Sequence, residues 1–170
     1  MKVSRFANVK ILIVDDSRHM RMLLRAVLQA IGLQRIYEAS DGDSGFAKVL
    51  DCKPNIIVTD LSMERMDGIE FARKIRLSPN TPDPCVPIIM VTGHTEQARI
   101  EAARDAGVTY FLAKPITANG LLQRIAKILD HPKPFVRCDG YFGPDRRRST
   151  AESHGGPRRR WNDHDAVEIA

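Results

Sequence analysis

Residues 9–17 read VKILIVDDS, and this stretch decides the fold. A run of β-branched and aliphatic residues stops on two carboxylates, Asp15 and Asp16, and then on a serine. An apolar run without polar alternation suits a strand buried on both faces, as in a parallel sheet. Ser17 is a candidate N-cap for a helix over 18–31 that stops at Gly32. Met20, Leu23, Leu24, Val27, Leu28 and Ile31 recur at helical spacing, so that helix lays one face on the sheet.

The same alternation continues along the chain. Strands are expected at 35–40, 55–60, 86–92 and 109–115, and helices at 43–51, 68–77, 96–107 and 118–130. Five βα units imply an α/β fold, a doubly wound (βα)5 parallel sheet, because parallel strands need right-handed crossovers that put helices on both faces. In such sheets the working crevice lies beyond the carboxyl ends of the strands. The residues that end these strands are Asp15 and Asp16, Asp60, Thr92 and Lys114.

Composition narrows the function classes. The chain has 170 residues, 43% of them hydrophobic, which is enough for one domain with a core. No run approaches a membrane span, and MKVSRFANVK lacks the apolar stretch of a leader. Three cysteines, Cys52, Cys85 and Cys138, show no metal-binding spacing and no even pairing. A reducing cytoplasm is the expected setting.

After Asp130 the character changes. Residues 131–170 are rich in Gly, Pro and Arg, show no apolar period and are too few for a second core. The expected division is a domain over 1–130 and an arginine-rich tail over 131–170 without regular structure until a ligand orders it. Charge in the tail is focused. Residues 1–130 hold 18 Lys+Arg against 15 Asp+Glu, giving +3, and residues 131–170 hold 8 against 6, giving +2. Six of those eight cations form the triplets Arg146–Arg148 and Arg158–Arg160. They belong to a unit written twice, GPDRR at 143–147 and GPRRR at 156–160. Focused charge of this kind suggests a compact anionic partner better than bulk DNA. The tail also lacks the apolar pattern of a helix-turn-helix module.

At the strand ends, three carboxylates converge, which is costly unless a cation neutralises them. Oxygen-only donors at this density suit a hard divalent metal such as Mg²⁺. Lys114 adds an ammonium and Thr92 a hydroxyl, so the set describes a phosphoryl pocket. The motifs IVDDS, VTD, MVT and AKP, in this order at the ends of these strands, resemble the receiver domains of bacterial two-component response regulators, of the single-domain chemotaxis (CheY-like) type. The resemblance covers residues 9–130. A flavodoxin-like core with incidental acids is the bland alternative.

The resemblance implies phosphotransfer from a histidine kinase or phosphotransfer protein to Asp60, a non-enzymatic signalling role apart from self-phosphorylation and autodephosphorylation. It implies Mg²⁺ held by Asp15, Asp16, Asp60 and the backbone carbonyl of Ser62. Lys114 would pair with the phosphoryl oxygens next to a cis bond to Pro115. Thr92 would hydrogen-bond the phosphate, and Phe111, three residues before the lysine, would be the aromatic switch. Where the family usually has proline four residues after the acceptor, this chain has Glu64, which is expected to loosen the loop. His94 flanks the phosphoryl position, and His19 sits in the first loop; both read more simply as solvated surface histidines.

The tail resembles the arginine-rich extension of the Cle regulators, CheY-like proteins that bind cyclic di-GMP and act at the flagellar motor. That likeness implies a dinucleotide clamp built from Tyr141, Asp145, Arg146, Arg147, Arg148, Arg158, Arg159, Arg160 and Trp161. Arginine forks suit guanine edges and phosphates, and aromatic rings suit base stacking. Gly-Pro is read here as an extended turn where backbone approaches the ligand. Three functional readings follow: a receiver controlled by cyclic di-GMP, with a flagellar motor switch protein as a possible partner; a plain phosphorelay receiver whose tail contacts a protein; and a basic-tail nucleic-acid binder.

Overall fold

Residues 6–93, 97–147 and 167–169 are described by a computed structural model of the chain. The opening stretch forms β1 (Lys10–Val14), followed by α1 (Arg18–Ile31). Ser17 caps α1 by accepting from the Met20 amide at 3.3 Å, and Gly32 ends it with φ 102°, a left-handed conformation suited to glycine. Four more units follow: β2 (Arg35–Ala39) and α2 (Gly42–Cys52), β3 (Ile56–Asp60) and α3 (Gly68–Leu77), β4 (Ile88–Thr92) and α4 (Gln97–Asp105), β5 (Tyr110–Ala113) and α5 (Ala118–Asp130). The sheet order is β2-β1-β3-β4-β5, with all four pairings parallel. This is the expected doubly wound architecture.

The uninterrupted apolar strands are explained by burial on two sides. Leu12 and Val14 of β1 face a core shared with Val49 of α2, Phe71 and Ile75 of α3, and Ala103 of α4. Ile11 and Ile13 face the opposite core, with Leu24 and Leu28 of α1 and Leu121 and Ile125 of α5. One member of the α1 stripe departs: Leu23 is 40% exposed, since the buried face is centred on Leu24 and Leu28.

The expectation that everything after Asp130 lacks regular structure is corrected for residues 135–144. They form a hairpin, β6 (Phe135–Cys138) and β7 (Tyr141–Pro144), paired antiparallel through a turn where Gly140 has φ 76°. A short β8 (Val167–Ile169) pairs with the other side of β6. The hairpin belongs to the domain because Phe135 and Phe142 are buried, their rings 5.9 Å apart, and Arg76 of α3 reaches it from below. The Arg76 guanidinium lies 4.9 Å from the Phe135 ring, so a cation–π contact joins α3 to the hairpin.

The Gly-Pro pair is corrected too. Gly143 and Pro144 are buried in β7, and a Cβ on Gly143 would come within 2.8 Å of the Gly107 Cα. Glycine is used there for close backbone packing against the α4–β5 turn, not for approach to a ligand.

Candidate functional site

β1 and β3 are adjacent, so their carboxyl ends bring the acidic residues together. One carboxylate oxygen from each of Asp15, Asp16 and Asp60 lies within 4.8 Å of the others. Asp15 and Asp60 are buried, whereas Asp16 is exposed. Lys114 follows β5 and sets its Nζ 2.9 Å from Asp60 Oδ1. Its backbone amide donates to the Thr92 carbonyl at 2.9 Å, which ties the ends of β4 and β5 together. The Lys114–Pro115 bond is cis.

Local contacts hold the acidic corner in place. Asp15 Oδ1 accepts from the Ser17 amide at 2.8 Å, and Arg21 of α1 donates to the Asp15 carbonyl at 2.7 Å. Asp67 caps α3 by accepting from the amides of Ile69 and Glu70, both at 2.9 Å, while Glu70 accepts from the Asp67 amide in return. Arg99 of α4 reaches across to Ser62 Oγ at 3.3 Å and Asp67 Oδ2 at 3.2 Å. Gly68 lies against β3, and any Cβ there would collide with the Asp60 carbonyl. Arg21, Gly68 and Arg99 are supporting residues the sequence did not single out. Their signals, one turn into α1, the residue after a capping Asp, and a lone arginine on α4, are ordinary until the fold makes them neighbours.

Glu64 changes the meaning of its own position. Its backbone amide donates to Asp16 Oδ2 at 3.1 Å, so the β3–α3 loop is tethered to the acidic pair rather than loosened. A proline has no N–H to make this bond.

Electrostatics point to a cation. The Asp15 carboxyl titrates above its ordinary value because burial disfavours its charge, with Asp60 and Asp16 adding repulsion against a hydrogen bond from Ser17 that pulls the other way. Asp15 Oδ2 and Thr92 Oγ1 are buried without hydrogen-bond partners among the described residues. Unsatisfied buried oxygens beside clustered carboxylates fit a hard divalent cation and an incoming oxyanion. A raised carboxyl pKa favours folding below the unfolded value of 3.8 and turns against it as pH rises through the folded value. At neutral pH the ionised Asp15 therefore costs stability. In metal-free buffer at pH 7, Asp15→Asn is expected to raise the thermal midpoint by about 2–4 °C, the equivalent of about 1 kcal/mol. Added divalent cation should then stabilise the variant less than the unsubstituted protein; equal stabilisation would remove Asp15 from the cation site.

The remaining expected residues divide. Phe111 is half-buried, pairs in register with Met90 of β4 and packs against the core on the α3–α4 side. Of the expected clamp, Tyr141, Asp145, Arg146 and Arg147 come together at the end of β7. Arg146 stacks 4.0 Å over the Tyr141 ring and donates to Asp105 at 2.9 Å and to the Arg104 carbonyl at 2.7 Å. Asp145 accepts from the Arg147 amide at 2.8 Å and from its guanidinium at 3.1 Å. Arg148, Arg158, Arg159, Arg160, Trp161 and His94 lie outside the described residues. No helix among the described residues is long and apolar enough to cross a membrane.

The response regulator receiver domain matches residues 11–126. The chain is 34% identical over 122 residues to the chemotaxis protein CheY of Pseudomonas aeruginosa, covering 72% of this chain and 97% of that protein. It is 34% identical over 109 residues to a probable chemotaxis protein CheY of Rhizobium etli, covering 64% of this chain and 83% of that protein. Among solved structures, chemotaxis protein CheY4 of Vibrio cholerae superposes with a TM-score of 0.65 at 30% identity, over 72% of this chain and 99% of that one.

Proposed function

Because the chain belongs to the response regulator receiver domain family, a family of signalling modules rather than catalytic enzymes, we propose that it is a cytoplasmic chemotaxis-type receiver phosphorylated on Asp60, with cyclic di-GMP bound at its arginine-rich C-terminal segment. The observation that carries the first half is the buried Asp60 carboxylate with Lys114 Nζ at 2.9 Å and two further carboxylates beside it. In phosphotransfer an Asp60 oxygen attacks the phosphorus of a kinase or phosphotransfer-protein phosphohistidine. The P–O bond of an acyl phosphate forms as the P–N bond breaks, and the imidazole leaves. Mg²⁺ held by Asp15, Asp16, Asp60 and the Ser62 carbonyl would offset the negative charge gathered around the phosphoryl group.

Lys114 is already paired with the acceptor and moves with it onto the phosphoryl oxygens. Thr92 Oγ1, buried without a partner among the described residues, would supply the remaining donor, and its movement would free space for Phe111 to turn inward. That change on the β4–β5 side is the output a partner, such as a flagellar motor switch protein, would read.

The second half rests on the cluster of Tyr141, Asp145, Arg146 and Arg147. A plain phosphorelay receiver is favoured instead by one observation: Arg146 and Asp145 are already engaged by Asp105 and Arg147. Calorimetric titration of Asp145→Ala with cyclic di-GMP separates the two. A guanine-reading clamp loses affinity, by about 1–3 kcal/mol for a lost bidentate contact. A merely electrostatic tail binds the dinucleotide more tightly once a negative charge is gone, and a purely structural segment does not bind it at all.

A further inference from the structure

β5 is an outer strand of the parallel sheet, and the hairpin stops beside it without pairing to it. Between them lies a pocket of about 350 Å³. Three cations converge on it from separate segments: Arg104 at the end of α4, Lys133 from the link between α5 and β6, and Arg146 after β7. Asp145 is the single carboxylate among the lining residues, and Arg147 already occupies it. Tyr110 of β5 supplies an aromatic ring, with Lys133 Nζ 4.6 Å from its centre, and its neighbour Phe111, whose side chain packs on the opposite face of the strand, also lines the pocket. Burial lowers the pKa of Lys133, and its charged neighbours Lys127 and Arg104 add repulsion. Arg146 is already paired with Asp105 at 2.9 Å, but Lys133 and Arg104 repel each other here, and a bound oxyanion would relieve that repulsion. The volume lies at the small end of ligand sites and suits one nucleotide unit.

We propose that this pocket binds a phosphate-bearing nucleotide, with Arg104, Lys133 and Arg146 on the phosphate and the Tyr110 ring against the base. The ligand's identity rests on the reading above, in which it is cyclic di-GMP; the pocket's own chemistry is equally that of a mononucleotide. Arg104 and Tyr110 belong to the body of the receiver and Lys133 to the link that follows α5, so the site is shared between body, link and hairpin. Phe111, the proposed switch, also lines the pocket, so nucleotide and phosphoryl group would be coupled through this residue, each altering affinity for the other by the same factor.

The test uses the full chain, titrated separately with cyclic di-GMP, GMP and inorganic phosphate. Lys133→Gln and Arg104→Gln change solvent-exposed side chains, and unchanged thermal midpoints verify their fold. Each should weaken nucleotide binding about tenfold, the worth of one charge-assisted contact, and saturating nucleotide should shift the backbone NMR signals of Tyr110 and Phe111. If cyclic di-GMP binds but neither substitution changes its affinity and those signals stay still, the pocket assignment is overturned while the tail reading survives. If GMP binds with the expected losses and cyclic di-GMP binds no more tightly, the pocket stands and the dinucleotide reading falls. Binding of no nucleotide, or of inorganic phosphate alone, overturns both.

Discussion

Asp60→Asn is expected to reduce labelling by acetyl phosphate or by a phosphorylated kinase to background, while leaving the fold unchanged. The substitution keeps the shape of a side chain that is 5% exposed and replaces a nucleophilic carboxylate with a neutral amide. Neither neighbouring carboxylate is placed to take over. Asp15 Oδ1 is bonded to the Ser17 amide and its second oxygen is buried, while Asp16 Oδ2 is held by the Glu64 amide. Lys114, 2.9 Å from Asp60 Oδ1, is where the phosphoryl charge would be received. Intact-mass measurement after incubation with Mg²⁺ and phosphodonor reads the result directly. Wild-type levels of phosphate on the variant would move the acceptor to another residue.

Arg76→Ala is expected to destabilise the protein by about 3–5 kcal/mol, a large share of the roughly 5–15 kcal/mol available to a domain. Arg76 is 3% exposed, and burial lowers its pKa to about 10. Its guanidinium donates twice to the Gly107 carbonyl, at 3.2 and 2.9 Å, and once to the Pro84 carbonyl at 2.7 Å, beneath the Phe135 ring. Truncation leaves the buried Gly107 carbonyl and the half-buried Pro84 carbonyl without these donors, opens a cavity and removes the cation from Phe135. Arg76→Lys should recover little, since one ammonium does not reproduce a planar fork spanning two carbonyls. Urea unfolding of both variants gives the comparison. A loss below about 1 kcal/mol for Arg76→Ala would mean the hairpin is not anchored through this residue. By the same reasoning, a chain ending at residue 130 loses stability that one ending at residue 147 keeps.

The parallel sheet and the acidic corner were legible in the sequence because their signals are local. Each strand is a short apolar run, α1 carries its own cap and stop, and the acids sit at strand ends, where topology alone brings them together. The hairpin was not legible. β6 and β7 are four residues each, and their burial depends on Arg76, far away on α3. In sequence, that arginine is one more cation in a last helical turn; only packing shows that it is inside. The Gly-Pro pair was misread for a related reason, since Gly143 is small to fit Gly107, a neighbour 36 positions earlier. Within the tail, the residues on the hairpin side of Arg148 became a described cluster, whereas the second arginine triplet lies beyond it.

The tether between the Glu64 amide and Asp16 divides labour between backbone and side chain. Nineteen of the twenty amino acids own the atom that makes it, and proline alone does not. The Glu64 side chain itself is exposed and is not needed for the bond. The surface beside the phosphoryl pocket is thereby released from structural duty. On the proposed reading, substitution there would tune how a kinase approaches Asp60 while the tethered acidic corner beneath stays fixed, so partner choice could diverge at a position the corner does not depend on.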